Sequence, residues 1–110
     1  MTDLKSLIQD LKARHSQIQI KIDISSLEKN IRELEATTLH PDFWSDQQQA
    51  QSTLKRLAFL QEELKQVQNL GTDLAEAAGL VDLMGESDET QKHVYKLKRQ
   101  LEKLEISTFL

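Results

Sequence analysis

The sequence predicts an all-α fold, an elongated antiparallel three-helix bundle of coiled helices. Apolar residues recur at steps of three and four along most of the chain, which is the spacing of one helix face. Three glycines and one proline in 110 residues are too few for the many turns of a sheet protein. A hydrophobic content of 38% suits one small domain over residues 1–110 with a modest core.

The first predicted helical arm covers residues 3–39 and contains two apolar stripes that differ in phase. This change of phase predicts a kink near residues 22–26. Ser25 and Glu28 have the spacing of a capping box, so we expect Ser25 to restart the helix. The first stripe comprises Leu4, Leu7, Ile8, Leu11, Ile18 and Ile22, and the second comprises Ile20, Ile24, Leu27, Ile31 and Leu34.

The second predicted helix spans residues 46–84 and carries the most regular pattern in the chain. Pro41 ends the first arm, and Ser45 with Gln48 forms a second predicted capping box. We expect the helix to be continuous, with a thin, closely packed point at Gly71. Its heptad positions are Leu57, Leu60, Leu64, Val67, Gly71, Leu74, Ala78 and Val81.

A third predicted helix covers residues 88–106. Gly85 is expected to end the preceding helix and Ser87 to cap this one, with acidic residues in its first turn. Its apolar positions again follow steps of three and four: Val94, Leu97, Leu101 and Leu104.

The composition argues against an enzyme and against metal or cofactor binding. The chain has no cysteine, and its three histidines, His15, His40 and His93, lack a histidine three or four residues away. A thin helical bundle also offers no pocket that would desolvate a catalytic carboxylate. We therefore expect no catalytic residue, no cofactor and no small-molecule substrate. The absence of a signal sequence or apolar span predicts a cytoplasmic protein without membrane contact.

Two features remain as candidate interaction sites. The basic stripe, which comprises Lys92, Lys96, Arg99 and Lys103, occupies one helix face and is a candidate RNA or partner contact, although a merely solvated face is the more common interpretation. The turn at Pro41, Asp42, Phe43 and Trp44 contains two large aromatic residues. We expect Trp44 to be a buried plug at the bundle end, with a partner hot spot as the alternative.

Three segments together resemble the N-terminal domain of bacterial peptide chain release factor 2, in the class I release factor family. Their matching residues are Leu27, Glu28, Ile31, Glu33, Leu34 and Glu35, then Pro41, Asp42, Phe43, Trp44, Asp46 and Ala50, and finally Leu101, Glu102, Leu104 and Glu105. The long apolar seam through Leu83 lies between the last two segments and belongs to the resemblance as well. Gln47 and Arg56 depart from the family pattern at surface positions. The resemblance covers nearly the whole chain.

The resemblance implies a role in translation termination at UGA and UAA stop codons, as part of a longer protein. The family's catalytic Gly-Gly-Gln and codon-reading Ser-Pro-Phe strings do not occur in these 110 residues, so no catalytic residue is carried over. The implied partners are the stalk-base region of the ribosome and the recycling GTPase. The alternatives are an RNA-binding helical arm such as that of seryl-tRNA synthetase, which the net charge of −4 disfavours, and a self-associating coiled-coil scaffold.

Overall fold

The computed structural model describes residues 3–110, and the regular structure in this part of the chain is helical throughout, which confirms the all-α fold class. No helix between residues 3 and 110 combines the length and the apolar character needed to cross a membrane. The helices are α1 (Leu4–Ile22), α2 (Ile24–Thr38), a short 3-10 helix (Phe43–Ser45), α3 (Gln47–Met84) and α4 (Asp88–Phe109).

The predicted kink near residues 22–26 is confirmed as a break at Asp23, but the predicted cap is wrong. Asp23 adopts a left-handed conformation with φ of 59°. Its carboxylate accepts hydrogen bonds from the Ser26 backbone N–H at 3.3 Å and from the Ser26 hydroxyl at 2.9 Å. Aspartate tolerates this backbone conformation and is also a strong N-cap, so it both turns the chain and starts α2. Ser25 lies inside the helix instead of capping it.

The start of α3 differs from the prediction in the same way. Ser45 belongs to the 3-10 helix, and its backbone N–H donates to the Asp42 carbonyl at 3.0 Å. Asp46 is the residue whose carboxylate accepts the Gln49 backbone N–H, at 3.1 Å. An aspartate at this position satisfies an otherwise unpaired donor of the first turn and also places a negative charge near the positive end of the helix dipole.

The reversal between α3 and α4 follows the predicted chemistry. Gly85 has φ of +72°, and its N–H donates to the Val81 carbonyl at 2.8 Å. Ser87 caps α4: its hydroxyl accepts from the Thr90 N–H at 3.2 Å, and its own N–H donates to the Thr90 hydroxyl at 2.9 Å. Glycine suits position 85 because residues that carry a side chain rarely adopt this backbone conformation.

The chain divides into two compact units, which α3 joins at Gln66 and Val67. The first unit contains α1, α4 and the part of α3 that begins at Val67; the second contains α2, the 3-10 helix and α3 up to Gln66.

In the first unit, α1 runs antiparallel to α3 and parallel to α4. The ammonium of Lys5 lies 3.2 Å from the Asp82 carboxylate, whereas His15 contacts the Val67 carbonyl further back along α3. Toward α4, the Leu4 N–H donates to the Glu86 carboxylate, and Arg14 pairs with Glu105 near the other end.

The core of the first unit comes from one apolar face of each helix. Leu70 and Ala77 of α3 are buried, whereas Gly71 and Ala78, which the heptad pattern predicts in the core, are only half-buried. In a unit of three helices the buried face of α3 is wider than a two-stranded seam, so adjacent positions share it. The other buried apolar residues are Leu4, Ile8, Leu11, Ile18, Val67, Leu74, Val81, Val94, Leu97, Leu101 and Leu104.

In the second unit, α2 runs antiparallel to the first half of α3. Leu34 of α2 lines the same recess as Leu60 of α3, and Thr37 near the end of α2 lines a second recess with Gln49 and Thr53 near the start of α3. The buried residues of this unit are Leu27, Ile31, Ala50, Thr53, Leu57 and Leu60. This packing places the Pro41–Trp44 turn at the end where α2 and α3 are connected.

The predicted thin point at Gly71 is confirmed and has a specific cause. The buried His15 ring of α1 lies against α3 there, with Nε2 2.7 Å from the Val67 carbonyl oxygen. A Cβ atom at Gly71 would lie 2.8 Å from His15 Cε1, closer than side chains tolerate. Glycine at this position therefore allows the imidazole to approach the helix backbone.

A two-pronged ion pair in the first unit joins Arg14 of α1 to Glu105 of α4. The guanidinium donates two hydrogen bonds to the carboxylate, at 2.9 Å and 2.6 Å, and Asp10 accepts a third at 3.2 Å. The hydrogen bonds from Arg14 lower the pKa of Glu105, and those to Glu105 raise the pKa of Arg14. This two-pronged geometry fixes the rotation of α1 against α4.

Glu105→Gln is expected to destabilise the chain by about 1 kcal/mol at neutral pH, since the pair is partly exposed to solvent. The pKa of Glu105 is lower in the folded state than in the unfolded state. Its contribution to stability is therefore fully present above the unfolded-state pKa and is lost as the pH falls through the folded-state pKa. Urea unfolding at pH 7 and at progressively lower pH should show the difference between wild type and variant shrinking below about pH 4. Asp82→Asn, which removes a more exposed ion pair, is the matched control and should change stability by less. If the difference in unfolding free energy between wild type and Glu105→Gln stays the same in acid, the ion pair with Arg14 is not its cause.

Candidate functional site

The basic stripe lies on the solvent-exposed side of α4, away from the core. Lys92, Lys96, Arg99 and Lys103 are all exposed, whereas the buried face of the same helix is formed by Val94, Leu97, Leu101 and Leu104. Steps of four, three and four residues keep the four cations on one helix face. Between residues 3 and 110 none of these four cations forms an ion pair. Their charges are therefore available to a partner.

The charge around the stripe differs from that of the rest of the chain. Residues 92–103 contain five basic side chains and one acidic side chain, although the whole chain has a net charge of −4. Residues 41–86 contain three basic and eight acidic side chains. Phosphate groups would be attracted to this part of α4 and repelled by most of α3.

Tyr95 lies beside the stripe and is 44% exposed. A shallow groove along α4 is lined by Tyr95 together with Lys92, Arg99, Gln91 and Asp88. The ammonium of Lys98 lies over the Tyr95 ring, 5.8 Å from its centroid, within the range of a cation–π contact. Tyr95 is not among the residues predicted from the sequence. Its spacing of three from Lys92 and four from Arg99 is the signal that places it on the same face.

The structure contradicts the prediction that Trp44 is a buried plug, because Trp44 is 61% exposed. Phe43 is half-buried and meets the Trp44 ring edge-on, with centroids 5.2 Å apart and planes at 82°. Successive residues of a 3-10 helix project about 120° apart, so only one of the two aromatic side chains can face the unit. Phe43 takes that position, lining a recess with Thr37 and Thr53.

Trp44→Ala should therefore cost less than about 1 kcal/mol, instead of the roughly 3 to 5 kcal/mol expected for an enclosed ring. The midpoint of thermal unfolding followed by circular dichroism should change little. Phe43→Ala is the natural comparison, because the half-buried ring should be the more costly one to remove. A larger loss for Trp44→Ala than for Phe43→Ala would contradict the exposed placement.

His15 is a packing residue in this structure. Its Nε2 carries the proton, because the Val67 carbonyl can only accept a hydrogen bond, and the ring is buried between α1 and α3. His40 lies at the turn, where its Nδ1 accepts the Asp42 N–H at 3.3 Å. The structure thus assigns His15 and His40 to local hydrogen bonds.

Comparison with known proteins agrees with the resemblance in the sequence. The family model described as the PCRF domain matches residues 27–110. Similar proteins named peptide chain release factor 2 occur in Frankia casuarinae, with 31% identity over 98% of this chain and 30% of the relative, and in Kineococcus radiotolerans, with 27% identity over 98% and 31%. The corresponding protein of Clostridium perfringens is 29% identical over 96% of this chain and 30% of its own length.

This chain spans about 30% of the length of the relatives that it matches. No solved structure matches the chain. The family match nevertheless covers α2 from Leu27 onward, all of α3 and α4, and includes both the Pro41–Trp44 turn and the basic stripe. The chain therefore belongs to the PCRF domain family and is similar to part of peptide chain release factor 2.

Proposed function

We propose that this chain acts in translation termination as the interaction domain of a peptide chain release factor. The family match over residues 27–110 is the observation that carries this proposal. We further propose that the chain does so as part of a release factor that directs hydrolysis of peptidyl-tRNA at UGA and UAA codons. The 110 residues contain neither the Gly-Gly-Gln nor the Ser-Pro-Phe string, so the chain alone should bind without hydrolysing.

The proposed partner is the ribosome, at its stalk-base region, with the recycling GTPase as a second contact. The exposed basic stripe supports an RNA contact there, because its four cations have no ion-pair partner in the described chain. The stripe also lies opposite the buried face of α4, so binding need not disturb the core. A scaffold built by self-association would instead need an exposed apolar seam, whereas the regular apolar positions of α3 are used within the two units.

Replacing the stripe by glutamine at all four positions, Lys92, Lys96, Arg99 and Lys103, should weaken ribosome binding and reduce its salt dependence. Each phosphate contact that is lost lowers the slope of log affinity against log salt by roughly one. Co-sedimentation with ribosomes over a series of salt concentrations measures both quantities.

The matched control removes the same charges from exposed positions elsewhere. It replaces Lys12, Lys21, Arg32 and Lys55 by glutamine, again three lysines and one arginine. This variant should keep most of the affinity and the slope. Equal losses of affinity in the two variants would show that binding depends only on net charge. Unchanged binding by the stripe variant would show that the stripe is only a solvated face.

A further inference from the structure

The groove on α4 combines an exposed aromatic ring with positive charge on both sides. Lys92 lies three residues before Tyr95 and Arg99 four residues after it, so the two cations are about one helical turn from the ring in either direction. Lys98 adds a third cation over the ring itself, at 5.8 Å. The ring offers a flat apolar surface that a stripe of cations alone would lack.

Nucleotides that are not base-paired fit this combination of groups. An aromatic side chain stacks on the face of an unpaired base, while lysine and arginine bind the adjoining phosphates. In a duplex the base faces are already stacked on each other, so Tyr95 would gain nothing from a paired helix. Asp88 and Glu89 at the start of α4 repel phosphate there, which favours a strand running from Lys92 toward Lys103.

We propose that Lys92, Tyr95 and Arg99 form a binding site for an unpaired RNA nucleotide, with the base on the Tyr95 ring in place of the Lys98 ammonium and the phosphates on the two cations. This inference rests on the proposed function and specifies the form of RNA that α4 binds. It assigns Tyr95 to stacking, which is insensitive to salt, and assigns the cations to the salt-dependent part of binding.

The test measures binding of the 110-residue chain to a fluorescently labelled oligouridylate and to an RNA duplex of equal length, by anisotropy at several salt concentrations. Tyr95→Ala should weaken oligouridylate binding by roughly 5- to 150-fold without changing the salt slope. Duplex binding should stay the same. Tyr95→Phe keeps the ring and should bind within about twofold of wild type, since stacking does not need the hydroxyl.

Phe59→Ala is the matched control, because Phe59 is an exposed aromatic residue of α3 in the second unit and is not part of the groove on α4. It should leave oligouridylate binding unchanged. Equal effects of Tyr95→Ala and Phe59→Ala, an equal loss of duplex binding, or a changed slope in Tyr95→Ala would each overturn the inference. Polyglutamate that competes as well as oligouridylate would also overturn it, by showing that the site takes an acidic protein segment. Thermal unfolding of each variant confirms that the helices are retained.

The outcomes separate this inference from the proposed function. Ribosome binding that depends on the basic stripe but not on Tyr95 would overturn the nucleotide site and leave the proposed function in place. Tyr95-dependent binding of oligouridylate by a chain that does not sediment with ribosomes would support the nucleotide site and contradict the proposed function.

Discussion

Gly71→Val is expected to destabilise the chain by roughly 2 to 5 kcal/mol, a large fraction of the total stability of a small domain. The new Cβ would lie 2.8 Å from Cε1 and 3.3 Å from Nε2 of the His15 ring. The ring cannot move away from the new side chain freely, because it is buried and its Nε2–H donates a hydrogen bond to the Val67 carbonyl. Moving it would create strain in the core, leave a buried donor without an acceptor, or both.

The matched control is Gly79→Val on the same helix. A Cβ at Gly79 meets no atom within 4 Å, so the variant should be neutral or slightly stabilising, since valine has a higher helix propensity than glycine. Urea unfolding of the two variants measures the difference. Adding His15→Ala to Gly71→Val should restore part of the loss, as a favourable coupling energy in a double-mutant cycle. Equal stability of the two valine variants would contradict the close approach of His15 to α3.

Local patterns in the sequence predict the helices and the break between α1 and α2 well. The change of apolar phase between the two stripes reflects a real break at Asp23, because Ile18 belongs to the core of the first unit and Leu27 to the core of the second. Gly85 and Ser87 are likewise local signals, because a left-handed glycine and an N-cap act within one turn of the chain.

The exact caps of α2 and α3 depend on backbone conformation that the sequence pattern does not specify. Ser25 and Ser45 satisfy the spacing of a capping box, yet Asp23 and Asp46 perform the capping. In both cases an aspartate lies one or two residues away from the serine, and the choice depends on where the chain leaves the preceding turn. The prediction of a helix start is thus correct to within two residues, while the capping residue is wrong.

The sequence pattern also does not predict the direction of side chains at single exposed positions. Trp44 points outward because Phe43 occupies the inward position of the same 3-10 turn, a choice that depends on Thr37 and Thr53 in neighbouring helices. Tyr95 is apolar enough to suit a core, and its exposure follows from the position of Val94 and Leu97 in the buried face. The basic stripe was predictable because charged residues at steps of three and four must share a face wherever the helix lies.

Leu101→Ala is expected to cost roughly 2 to 5 kcal/mol, since Leu101 is fully buried at 0% exposure on the inner face of α4. The loss combines the burial energy of the removed carbons with the cavity left between helices, because α1 and α3 are held in place by other contacts, among them Arg14 with Glu105 and His15 with Val67. A change of this size should lower the thermal midpoint by more than about 8 °C in a chain of this length.

Leu83→Ala makes the same chemical change at a residue that is 87% exposed on α3, and it should alter stability by no more than about 0.5 kcal/mol. Urea unfolding should show a lower midpoint for Leu101→Ala with an unchanged slope, the sign of lost stability without a change in the surface exposed on unfolding. Leu101 lies opposite the basic stripe, so its removal should also weaken ribosome binding at temperatures where α4 begins to loosen, although no charge has changed. If the Leu101→Ala variant binds ribosomes at the wild-type level even while it unfolds, the cations bind without the helix that spaces them. This result would contradict a site on one face of α4.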